Sequence, residues 1–77
     1  MSAPGEQRIT STHGYTVVLE HGPTSWGAYV PDLPVCVAVA DTREQVERDI
    51  AQAITMHLEG LREDGLPIPE PRTPATN

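Results

Sequence analysis

The stretch DTREQVERDIAQAITMHLEGLREDG, residues 41–65, decides the fold. Thr42 can cap a helix through its hydroxyl, and Gln45 three residues later completes a capping-box pattern. Asp41 and Glu44 place negative charge at the positive end of the helix dipole. Val46, Ile50, Ala53, Ile54, His57, Leu58 and Leu61 then recur at three- and four-residue spacing, which makes one apolar stripe. Glu44 and Arg48 stand one turn apart with opposite charges. Gly65 suits a left-handed C-terminal cap. The pattern predicts a helix from Arg43 to about Asp64. Gly60 lies inside it, where glycine costs roughly 0.5–1 kcal/mol relative to alanine; close packing or early fraying would account for it.

Working towards the N-terminus, Val35-Cys36-Val37-Ala38-Val39-Ala40 is an apolar run of six. Such a run reads as a strand covered on both faces, central in its sheet. Pro31-Asp32-Leu33-Pro34 interrupts the ladder before it, because proline has no N–H to donate. Trp26 to Val30 has strand character, with Trp26, Ala28 and Val30 on one face and Tyr29 on the other. Gly22 and Pro23 mark a turn, and Tyr15 to Glu20 is a β-branched and aromatic strand before it. Arg8 to Thr12 is a candidate for a further short strand within a flexible N-terminal segment, residues 1–14. Beyond the helix, Leu66-Pro67-Ile68-Pro69-Glu70-Pro71 favours an extended conformation, with Leu66 and Ile68 able to dock on the core, and residues 72–77 read as a disordered tail. The architecture predicted is α+β: a three-stranded antiparallel sheet with one helix packed on one face.

Composition narrows the function classes. The chain has 77 residues, room for one small core, and domains of this size often gain stability by oligomerisation. Five arginines and no lysine stand against eleven acidic residues, a net charge of -6. That balance disfavours direct nucleic-acid binding and favours basic partners. The single cysteine, Cys36, excludes an internal disulfide and a multi-cysteine zinc site and fits a reducing cytoplasm. No apolar run approaches the ~20 residues of a membrane helix.

Taken in order, several segments resemble the HicB family of antitoxins. They are Tyr15 to Glu20, Ala28-Tyr29-Val30-Pro31-Asp32-Leu33-Pro34, Cys36, Asp41-Thr42, and His57 through Pro71. The resemblance covers residues 15–71. It implies a partial RNase H fold, β-β-β-α with a further strand. It also implies a job: binding HicA, a small toxin that cleaves mRNA, and blocking its active site. Many members carry a C-terminal DNA-binding domain as well. This sequence has Val35 and Ala40 where the family usually has glycine. It stops at Asn77, so no DNA-binding domain and no final strand are expected. The open sheet edge then invites pairing with the toxin or with another copy, and a homo-oligomer is expected.

Catalytic roles find simpler explanations. Glu20, Asp32 and Asp41 raise the question of a metal-dependent nuclease of RNase H type, which needs converging carboxylates. However, Asp32 sits in a proline-flanked turn, Asp41 precedes a helix, and Glu20 ends a strand. His13 and His21 read as turn residues about one strand length apart, and His57 as part of the helical stripe. Cys36 in an apolar run reads as a core residue. No catalytic residue, metal site or cofactor is expected. The reading is an antitoxin that neutralises a HicA-like basic toxin, with Glu20, Trp26, Tyr29, Asp32 and Asp41 as contact candidates. The alternatives are an orphan self-assembling binding module and, behind it, a residual metal-dependent nuclease.

Overall fold

The computed structural model describes residues 6–73. Its elements run β1 (Glu6–Thr12), β2 (Tyr15–His21), β3 (Trp26–Val30), β4 (Leu33–Ala40) and α1 (Arg43–Glu63). The strands form one antiparallel meander in the order β1-β2-β3-β4, and the helix covers one face over β4 and β3. The class is the one expected, an antiparallel sheet with one helix. The sheet has four strands rather than three: the candidate strand Arg8 to Thr12 forms, begins at Glu6, and pairs with β2 along its whole length, from Glu6 opposite His21 to Thr12 opposite Tyr15. The β1–β2 turn is tight, with His13 and Gly14 both at positive φ (55° and 82°). His13 holds this turn to the helix through its Nε2, 2.9 Å from Thr55 Oγ1.

The core lies between sheet and helix. Val17 and Leu19 from β2, Ala28 and Val30 from β3, and Leu33 and Cys36 from β4 are buried against Val46, Ile50, Ile54 and Leu58. Those four helix residues form a single i, i+4 row. His57 flanks that row, half-buried. Thr42 Oγ1 accepts from the Gln45 N–H at 3.1 Å, so the helix starts where the cap pattern places it. Gln45 turns its own side-chain amide forward to Asp49. At the other end, the Gly65 N–H donates to Arg62 O and the Leu66 N–H to Leu61 O, with Gly65 at φ 67°. This is the Schellman pattern that glycine favours.

Gly60 has no tight-packing explanation, since a Cβ there would meet nothing within 4 Å and the helix continues to Glu63. Gly60→Ala is therefore expected to stabilise the fold by about 0.5–1 kcal/mol, read as a higher urea midpoint at unchanged slope.

One expectation about the sheet is overturned. β4 is an outer strand, not a central one, and only one of its faces is covered. Val35, Val37 and Val39 are 69%, 63% and 74% exposed. The register slips between β3 and β4: Val30 pairs with Leu33, but Tyr29 pairs with Val37, leaving Pro34 to Cys36 as a bulge. The bulge lets Leu33 and Cys36 both point into the core although they are three residues apart. An apolar run of strictly small and β-branched residues hides this alternation, because both faces carry the same residue class.

Candidate functional site

The sheet face opposite the helix carries exposed apolar side chains of β4, among them Val37 and Val39. In the pairing register, Ile9, Val18, Tyr29 and Val37 lie opposite one another across all four strands and so share that face. The next row is Gln7, Glu20, Gly27 and Val39. Gln7 Nε2 donates to Glu20 Oε2 at 3.0 Å, which orients this carboxylate at the border of the apolar row. Glu20, Gly22, Ser25, Gly27 and Val39 line a shallow depression beside it. Tyr29 is 37% exposed.

One end of this face is covered by the chain itself. Residues 66–73 leave the helix in an extended path and wrap around the end of the sheet. On the helix side the Tyr15 hydroxyl donates to Pro69 O. At the turn, Pro71 lies against Gly14. On the open side the Thr16 hydroxyl donates to Thr73 O at 2.6 Å. Thr16 is only 3% exposed, although it faces away from the helix. Asp32 holds the strap in place: its Oδ2 accepts from the Arg72 N–H (2.8 Å) and the Thr73 N–H (2.9 Å), and its Oδ1 accepts from Thr73 Oγ1 (2.9 Å). Arg72 and Thr73 are thus anchored; the remainder of the expected tail, residues 74–77, and residues 1–5 lie outside the described residues.

The two backbone N–H groups hold the Asp32 carboxyl below its ordinary value, Thr73 first and Arg72 second. A carboxylate with a lowered folded-state pKa contributes stability that is present above the ordinary carboxylate range and lost as pH falls through the lowered value. Acidification below the ordinary carboxylate range, through the lowered value, is expected to release the strap. Asp32→Asn, whose amide offers one neutral acceptor in place of two charged ones, is expected to release it at neutral pH. Amide hydrogen exchange at Arg72 and Thr73 would report both as severalfold acceleration, with the exchange of β2 unchanged.

The other residues singled out from the sequence lie elsewhere. Trp26 is on the helix face at the far end of the sheet, half-buried against the core. Its ring stacks on His21, with centroids 4.2 Å apart and planes within 5°. The Arg43 guanidinium lies 5.9 Å from the Trp26 ring and its Nε is 2.7 Å from Glu47 Oε2. His21 is therefore the last residue of β2 rather than a turn residue, and its partner is an aromatic ring. Asp41 is exposed at the start of the helix, one residue beyond Ala40, which pairs with Trp26. Of the five candidates, then, Glu20 and Tyr29 share the open face, Asp32 anchors the strap, and Trp26 and Asp41 sit at the opposite end. Val35, Val37 and Val39 belong to the open surface and were not among the candidates; the signal that could have found them was the absence of any polar residue from Val35 to Ala40.

Among the described residues, no group of three or more His, Cys, Asp or Glu side chains is placed to hold a metal ion. Cys36 is buried, its Sγ 3.8 Å from Ala53 O, and burial pushes its thiol pKa up. None of the described helices is long and apolar enough to cross a membrane.

The sheet thus has one face sealed by the helix and the other covered at one end by the strap. Residues 15–76 match the HicB_like antitoxin of bacterial toxin-antitoxin system. The chain belongs to this antitoxin family. It is also 30% identical over 56 residues to an uncharacterized 14.9 kDa protein in the rep-hol intergenic region of Haemophilus phage HP1. That match covers 73% of this chain and 42% of the phage protein, so the chain spans less than half the length of this relative. No solved structure matches.

Proposed function

We propose that this chain acts in the cytoplasm as an antitoxin that binds a HicA-like, basic mRNA-cleaving toxin and blocks its active site. The observation that carries the proposal is the open sheet face: an apolar row with Tyr29 at its centre and the Gln7-oriented Glu20 at its border, on a chain of net charge -6. Apolar centre and charged rim is the usual anatomy of a protein interface. An RNA-cleaving toxin must present cationic groups to phosphate, and an acidic binder meets those groups with complementary charge while apolar contact supplies affinity. Neutralisation in this scheme needs no chemistry from the antitoxin, only occupancy of the toxin's RNA-binding surface.

The test is recovery of the tagged chain from its native host at moderate salt, followed by mass spectrometry. A small basic protein at stoichiometric yield, whose free form cleaves RNA and whose complex does not, is the expected result. Recovery of the bait with no such protein would overturn the toxin-neutralising reading.

A further inference from the structure

The depression beside Glu20 is built around a missing side chain. Gly27 stands between Glu20 on β2 and Val39 on β4 in the pairing register, so the middle of that row is bare backbone. This peptide is the floor. Gly22 and Ser25 close one end, where the Gly22 N–H donates to Ser25 O at 2.9 Å across the β2–β3 turn. Val39, 74% exposed, lines one side and Glu20 the other. The volume is about 280 Å³. Pockets for small molecules run about 300–1,000 Å³ and enclose their ligand. This hollow is smaller and shallow, the size for one protruding side chain.

We propose that the depression seats a single arginine side chain of a protein partner, with the guanidinium beside Glu20 and the stem along Val39. Identifying that partner as the basic toxin rests on the reading above; the seat itself does not.

Charge selects a cation. Gln7 donates to Glu20 Oε2 and so fixes the carboxylate, leaving Oε1 to accept from an incoming donor. The row Gln7, Glu20, Gly27 and Val39 contains no basic residue to neutralise it, and Arg8 and His21 alternate to the other face. One carboxylate does not hold a metal ion, and no metal-binding group occurs among the described residues. Shape selects arginine over lysine. A guanidinium is planar and weakly hydrated, so it can lie flat on the bare Gly27 peptide while its N–H groups reach Glu20, whereas an ammonium keeps its water and has no flat face. The aliphatic stem covers Val39. Because Glu20 is exposed, water screens the pair: the charge guides the arginine in, and the fit of the hollow holds it.

Gly27 keeps the seat open. A Cβ there would meet only Ala38 O, at 3.9 Å, and Gly27 is not among the glycines at positive φ. A β-branched side chain at this position therefore fits the strand and fills the hollow.

Heteronuclear NMR of the full chain, titrated with N-acetyl-arginine methylamide, tests the seat without the toxin. Saturable shifts of the Gly22, Ser25 and Gly27 amides are expected in the millimolar range, as for a lone side chain. The citrulline compound, a neutral copy of the same shape, and the lysine compound are each expected to bind about tenfold more weakly. Gly27→Val is expected to abolish the saturable shifts while its spectrum stays dispersed. Should Gly27→Val fail to fold, the arginine–citrulline comparison in the wild type decides alone. No saturable shift at these amides, equal affinity for either control, or a folded Gly27→Val that still binds would each overturn the seat. A seat that fails while the toxin is recovered with the chain strikes this inference only; a seat that holds while no toxin is recovered strikes the toxin reading only.

Discussion

Ile50→Ala is expected to remove roughly two-fifths or more of the stability of this fold. Ile50 is 1% exposed and sits in the middle of the buried helix row, between Val46 and Ile54, facing the sheet. Truncating a buried isoleucine to alanine costs about 2–5 kcal/mol, the transfer term plus the cavity left behind. A single core in a domain of this length supplies net stability of roughly 3–5 kcal/mol. The urea midpoint is therefore expected to fall by roughly two-fifths or more at unchanged slope, and the more severe end of the range leaves the chain unfolded at room temperature. The contrast is Met56, 64% exposed on the outer side of the same helix. Met56→Ala is expected to stay within about 0.5 kcal/mol of the wild type. Equal effects at the two positions would mean that the helix does not seal the core through the face described.

The helix was legible from the sequence because every signal agreed: cap, first-turn charge, i, i+4 row and terminal glycine all specify one element. β2 and β3 were legible for a related reason, since β-branched and aromatic residues lie between clear turn residues. The sheet's edges were not. β1 is polar enough to resemble a loose terminus, and its pairing with β2 is visible only once both strands are in place. For β4, a six-residue apolar run carries no period-two signal, so a half-exposed edge strand and a buried central one look alike.

The site was legible only in part, for a different reason. Glu20 and Tyr29 were recognisable as strand residues and fall on one face. Asp32 was correctly a turn residue, but its hydrogen-bond partners lie forty residues away in a proline-rich strap that local patterns describe only as extended. The valines of β4 were absent from the candidates because side chains that resemble core attract no functional reading; only the helix's position over the other face shows that they are exposed.

That exposure sets the scale of the second large effect, at the proposed toxin interface. Tyr29 is the one large aromatic on the open face, between Val18 and Val37 in the same row. Buried aromatic anchors at interface centres cost about 2 kcal/mol or more when truncated, whereas charged rim residues cost less. Tyr29→Ala is therefore expected to weaken toxin binding by ~30-fold, which is 2 kcal/mol in free energy. Glu20→Gln, at the rim, is expected mainly to slow association and flatten its salt dependence. Trp26→Ala, on the helix face, and Asp41→Ala, beyond the end of β4, lie off the open face and are expected to leave the dissociation constant of the folded protein unchanged, although Trp26→Ala lowers stability through its contact with the core. Titration calorimetry with the purified toxin across these four variants locates the interface. Should Trp26 and Asp41 carry the loss while Tyr29 does not, the binding surface is the His21–Trp26–Arg43 end of the sheet, and the open face is left to other contacts.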